Sequence, residues 1–344
     1  MISILRAYGV PEKLVHAVAA GFERTQAKVL SPDGEFPYFE ILAGVLQGDT
    51  LAPFLFILVL DFALRQAISG KEEELGFTLV PRRSRRVGPV MITDLDFADD
   101  IGLICDTAAK ARELLLTVEA ERGKIGLKLN AKKTKVMAFN TADTMVNTGD
   151  GTTLEVVEDF KYLGSYVAST DKELKVRSVL VWSALYAMKK VWTSDLRDDL
   201  KRRLFVSTVE SVLLYRAETW TLTGQQEKSL DGVYTRMLRM ALDVSWEDRI
   251  RNTDLYGGLP RVSAKVRERR MGLAGHCIRH PELGAHATIL WEPTQGTSRR
   301  GRKRTTYVDN LKKDAGVVDT RELKTLMLER DEWRASVRSR DGVG

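Results

Sequence analysis

"TDLDFADDIGLI" (residues 93–104) sets two adjacent aspartates, Asp99 and Asp100, inside an otherwise apolar run. The residues on either side read as two β-strands, with Ala98, Asp99 and Asp100 at the tip of a tight hairpin. Neighbouring carboxylates repel each other and are costly to strip of water, so a cation is the natural compensation. Hard oxygen donors with room for water suit Mg²⁺, or Mn²⁺ in its stead. Asp-Asp is also an ordinary turn dipeptide, and the pair alone leaves both readings open.

Upstream of the hairpin, "GVLQGDTLAPFLFILVLDFALRQAI" (44–68) predicts a glycine-containing loop, an N-cap at Thr50, Pro53 in the first turn and a long helix buried on most sides. Before it, "MISILRAYGVPEKLVHAVAAGF" predicts two helices, the second opened by Pro11 with Leu14, Val15, Val18 and Phe22 on one face. "AKVL" and "FPYFEI" flank the turn "SPDG" as a hairpin. Downstream, residues 107–123 read as an amphipathic helix with Leu114, Leu115 and Val118 as its core stripe. "GLKLNAKKTKVMAF" reads as two strands joined by a lysine-rich turn, and "FKYLGSYV" as one more strand. From Asp171 to about Arg279 the pattern is helical, anchored by Trp182, Trp192, Trp220 and Trp246, and a last helical pattern runs around Leu323–Val337. A domain change is expected near Thr170.

The chain has 344 residues, 44% of them hydrophobic, enough for a substantial core in two or three subdomains. Its net charge of +6 is uneven: residues 261–344 carry 19 Lys/Arg against 11 Asp/Glu, and the rest is slightly acidic. A polyanionic partner accounts for this, as does a solvated basic helical surface. Two distant cysteines, Cys105 and Cys277, indicate a reducing compartment. His276, Cys277 and His280 in "GHCIRH" lack a fourth ligand for zinc, so a packed helix is the expected reading. No apolar run approaches the ~20 residues of a membrane span, which leaves a nuclear or cytoplasmic protein with no membrane partner.

Four segments carry a family resemblance. "FADD" (Phe97–Asp100) resembles the signature of reverse transcriptases, the RNA-directed DNA polymerases, and of non-LTR retrotransposons in particular. "GVLQGDTLAPFLF" resembles the family's "QG…SP" segment through Gln47, Gly48 and Pro53, with Ala52 where serine is usual. "GLKLNAKKTKV" matches the "N…KT" segment at Asn130, Lys133 and Thr134, and "FKYLGSYV" resembles the primer-grip strand. The four stand in the family's order and spacing over residues 44–167.

The resemblance implies an α+β fold: a partial polymerase palm of antiparallel sheet and helices (1–170), an all-helical thumb (171–290) and a basic C-terminal region (291–344). It implies template-directed nucleotidyl transfer by two metal ions, with an RNA template, a DNA primer and deoxynucleoside triphosphates as partners. Asp99 would be the principal metal ligand and Asp100 a weaker one. Lys133 would neutralise the triphosphate or protonate pyrophosphate, although it and its neighbours also suit a charged surface turn. Gln47, Gly48, Phe97 and Asn130 would lie by the template and nucleotide, while Tyr162, Leu163 and Gly164 would present the primer terminus; Tyr162 equally suits packing.

In the family a further metal-binding aspartate lies on a strand before the helix that here opens the sequence. The expectation is therefore an N-terminally truncated chain, weak or inactive alone. Asp94 and Asp96 are nearby acids, but strand alternation predicts Asp96 and Asp99 on opposite faces unless the turn intervenes. The alternative is a non-catalytic RNA- or DNA-binding module, using Arg299, Arg300, Arg302, Lys303 and Arg304 on phosphates. The same basic run would serve as a nuclear-localisation patch.

Overall fold

Helices Ala52–Ile68 and Ala108–Lys124 pack together because each carries an apolar stripe: Leu60, Leu64, Ala67 and Ile68 on one, Leu114 and Val118 on the other. The computed structural model describes the whole chain except residues 33, 42, 43, 47, 83, 168, 294–303 and 339–344. It divides into two compact units, Met1–Glu158 and Asp159–Gly344.

In the first unit the Asp-Asp hairpin rests on this helix pair. Strand Asp94–Phe97 runs antiparallel to Asp100–Leu103, pairing Asp94 with Leu103, Asp96 with Ile101 and Phe97 with Asp100. Facing residues of antiparallel strands share a side of the sheet. Ile101 and Leu103 pack on the helices, so Asp94 and Asp96 point the same way. Leu95 and Phe97 share the outer face with Gly102 and Asp100, and Phe97 is 63% exposed.

Several local expectations are corrected. Thr50 does not cap the long helix; Leu51 is its N-cap, and the Asp49 carboxylate accepts from the Leu51 N–H at 3.0 Å. That helix is not buried on most sides, since Phe54 and Ile57 face outward. In the helix Glu12–Phe22, Val15 is buried whereas Leu14 is exposed, about a third of a turn away. The 26–40 hairpin forms, with Gln26–Ala27 on Phe39–Glu40 and Leu30–Ser31 on Gly34–Glu35. "GLKLN" is not a strand; only Lys135–Val136 is extended, pairing in parallel with Glu155–Val156.

The second unit is helical after one short hairpin. Its main core gathers Val181, Leu185, Trp192, Phe205, Leu213, Trp220, Tyr234 and Met237. A π-helical turn, Val206–Glu210, turns Glu210 inward, where it accepts from Tyr234 Oη at 2.5 Å and Lys265 Nζ at 2.6 Å. Burial and that carboxylate push the Tyr234 phenol far up. Trp246 is not a core anchor: it lies in the loop after helix Gly224–Ala241 and is 82% exposed.

Among the described residues, those beyond 303 form three helices, Tyr307–Ala315, Thr320–Leu328 and Arg330–Arg338. Helix Val262–Arg279 lends Val262 and Val266 to the main core, and Met271, Ala274 and Ile278 to a second one completed by Val308, Leu311, Leu323, Met327 and Trp333. Trp333 Nε1 donates to the Met271 carbonyl at 3.0 Å. Among the described residues no helix is long and apolar enough to cross a membrane.

Candidate functional site

Ala98, at φ 53°, turns the chain between the two strands, and Asp99 follows it at the tip. Asp100 already belongs to the second strand, opposite Phe97, rather than to the turn. Ala98 and Asp99 form one side of a cleft of about 420 Å³ whose other side is Gly48, Asp49, Ala52 and Pro53. Two of the sequence-predicted segments are thereby brought together, 50 positions apart in the chain. Gly48 has φ 93° with open space where a Cβ would stand, so its backbone conformation is what calls for glycine. Gln47 lies outside the described residues.

The charges behind the tip are a relationship that sequence reading missed. Asp96 presents much surface to solvent, yet its carboxyl is pushed up to about 7 by lost hydration first, then by Asp94 and Asp61. Asp61, on helix Ala52–Ile68, accepts from Arg65 Nε at 2.7 Å and from Tyr8 Oη. Burial and that contact push the Tyr8 phenol up to about 12. Arg122, near the end of helix Ala108–Lys124, is drawn down by lost hydration and held up by Asp99 and Asp96. Both aspartates therefore act electrostatically on one guanidinium. A lone acid in the apolar run "FILVLDFAL" was the available signal for Asp61.

The lysine-rich turn is built by its asparagine. Asn130 Oδ1 accepts from the Lys133 N–H at 3.2 Å, and the Asn130 carbonyl accepts from the Lys133 N–H and from Thr134 Oγ1, each at 3.0 Å. Lys133 is left exposed, whereas Lys135 pairs with Glu155 at 2.5 Å.

"FKYLGSYV" is not one strand. Lys161–Tyr162 and Ser165–Tyr166 pair about a two-residue turn, Leu163–Gly164, with positive φ at both positions (49° and 84°). Such a turn matches the twist of paired strands. The hairpin belongs to the second unit.

In the basic run only Arg304 is among the described residues; Arg299, Arg300, Arg302 and Lys303 are outside them. Cys277 is buried in helix Val262–Arg279, its carbonyl 3.1 Å from His286 Nδ1, while the rings of His276 and His280 lie 4.4 Å apart.

Asp99 and Asp100 are oxygen donors of the class a hard cation takes, but only part of its shell. Among the described residues no group of three His, Cys, Asp or Glu side chains is placed to hold a metal ion.

The family model for reverse transcriptase (RNA-dependent DNA polymerase) matches residues 2–167, the span containing both the hairpin and the segment across the cleft from it. A transposon-derived protein of Caenorhabditis elegans is 27% identical over 277 residues, 74% of this chain and 98% of that protein. The retrovirus-related Pol polyprotein of a type-2 retrotransposable element of Drosophila melanogaster is 28% identical over 179 residues, 49% of this chain. The matched stretch is 16% of that polyprotein's length. Residues 2–167, a little under half of the chain, are thus similar to the reverse transcriptase family, and both relatives carry transposon-type names.

Proposed function

We propose that the cleft between Asp99 and the Gly48–Pro53 segment is the nucleotidyl-transfer site of an RNA-directed DNA polymerase. The observation that carries this reading is the shared lining of that cleft. Asp99 and Asp100 would hold Mg²⁺ or Mn²⁺, which when bound would activate the primer hydroxyl and steady the departing pyrophosphate. Lys133, exposed on its Asn130-capped turn, would meet the triphosphate, and Tyr162–Gly164 the primer end. Gln47, Gly48, Phe97 and Asn130 are the proposed neighbours of template and nucleotide, and nucleus or cytoplasm is the expected compartment. Because two carboxylates supply only part of a two-ion shell, the expected extension by this chain alone is weak or absent.

A second reading, a non-catalytic RNA- or DNA-binding module, is favoured by three arginines in the second unit. Burial depresses Arg279 first, Arg330 and Arg334 add like-charge repulsion, and a phosphate would relieve that repulsion. Primer extension on an RNA template with Mg²⁺ or Mn²⁺, beside salt-titrated binding to the same duplex, separates the two. Extension abolished by Asp99→Ala supports the polymerase reading. Salt-sensitive binding without extension supports the module, and salt-independent binding removes it.

A further inference from the structure

The hairpin that resembles a primer grip is gripped by the helices. Its turn exposes two carbonyls, and both are taken: Tyr215 Oη donates to Leu163 O at 3.1 Å and Arg177 Nη2 to Gly164 O at 2.6 Å. Arg216 Nη1 reaches Tyr162 O at 3.4 Å. The Tyr166 N–H, past the turn, donates to Glu173 Oε2 at 2.8 Å.

Glu173 and Arg177 are successive inward positions of helix Thr170–Ala187 and pair with each other at 2.6 Å, both buried. The Arg177 guanidinium also lies 4.5 Å over the Tyr215 ring. A buried ion pair is a poor source of stability compared with apolar packing, but it fixes geometry. Here each partner spends its remaining capacity on the hairpin backbone, one at the turn and one on the returning strand. A Cβ at Gly164 would stand 3.3 Å from the Tyr215 ring, so the turn is also held by shape. The reverse transcriptase match extends to residue 167. Its last nine positions belong to the second unit, which starts at Asp159.

We propose that Glu173, Arg177 and Tyr215 are positioning residues that tie the Leu163–Gly164 turn to the helical unit, so that the segment offered to a primer 3′ end takes its orientation from the helices. This rests on the polymerase-derived reading of the hairpin. Its chemistry is selective for a strand end: the turn and its anchors form a rigid backbone surface, whereas contacts along a duplex would be made by side-chain cations indifferent to where the strand stops.

The test uses the full chain and two probes at one salt concentration: an RNA–DNA duplex with a recessed primer 3′ end, and the same duplex made blunt. Wild-type protein is expected to prefer the recessed end. Tyr215→Phe removes one hydrogen bond from a side chain 44% exposed, and should weaken recessed-end binding about threefold while leaving the blunt duplex unchanged. The joint replacement Glu173→Gln with Arg177→Met removes the buried charges together, and should cost about tenfold with the same selectivity. If the joint variant does not fold, Tyr215→Phe still decides. Equal losses on both duplexes, or none, overturn the anchoring role while leaving the polymerase reading intact. A wild-type protein indifferent to the recessed end overturns both.

Discussion

Arg270 closes on Asp314 with two nitrogens, Nε at 3.0 Å and Nη2 at 2.5 Å, while its Nη1 donates to the Trp220 carbonyl at 3.0 Å. Both side chains are buried. Burial pushes the Asp314 carboxyl up, and Arg270 draws it back. One guanidinium thus joins helix Val262–Arg279, the turn before the capping Thr223 and helix Tyr307–Ala315.

Arg270→Ala leaves Asp314 as an uncompensated buried charge and is expected to cost about 3–5 kcal/mol. Urea unfolding measures it. A loss below about 1 kcal/mol would mean that water reaches the site.

Asp96 gives the first unit a pH dependence of defined sign. Its folded carboxyl titrates near 7 and its ordinary value is 3.8, so between these pH values the folded state keeps a proton that the unfolded chain has released. Stability therefore falls as pH rises through that window and stays lower above it. Asp96→Asn removes the effect and, allowing for solvent screening, should add about 1 kcal/mol at pH 8 and little at pH 4. Urea midpoints at both pH values, monitored by a probe in the first unit, check this.

Gly164→Ala puts a side chain at φ 84° against the Tyr215 ring and should cost about 1–2 kcal/mol. Gly232 lies within helix Gly224–Ala241 with open space around its Cβ direction, so Gly232→Ala should instead stabilise by about 0.5–1 kcal/mol. Opposite signs in thermal melts are the expected result; like signs would contradict the local geometry.

Asn130→Ala removes the side-chain acceptor that shares the Lys133 N–H with the Asn130 carbonyl, at a cost of up to about 1 kcal/mol by analogy with helix caps. Asn130→Asp keeps that acceptor. If turn-building is the role of Asn130, Asp restores wild-type stability and duplex binding; if the amide itself meets a nucleotide, Asp restores stability alone.

What the sequence made legible follows from the range of each signal. The hairpin of Asp94–Leu103, the stripe of Leu114, Leu115 and Val118, and the helical pattern after residue 170 rest on periodicity within a few residues. The proximity of Asp99 to Gly48 came from family resemblance. The Leu163–Gly164 turn was missed because Leu at positive φ is not a turn signal, whereas Gly after it is. Arg122 behind Asp99, and Arg270 on Asp314, depend on tertiary contacts that charge patterning does not encode. The helical pattern around Leu323–Val337 was legible, but its packing on Met271, Ala274 and Ile278 was not, because that contact joins segments some 50 positions apart.

Helix Val262–Arg279 serves two cores at once, and this makes the last third of the chain difficult to edit. Cutting the polypeptide after residue 304 would leave Met271, Ala274 and Ile278 facing water on a helix still rooted in the main core. Such a fragment would present a ready-made adhesive stripe to its own copies. Shortened versions of this protein should therefore self-associate unless the stripe is recoded or the closing helices, Tyr307–Ala315 onward, are supplied as a separate peptide.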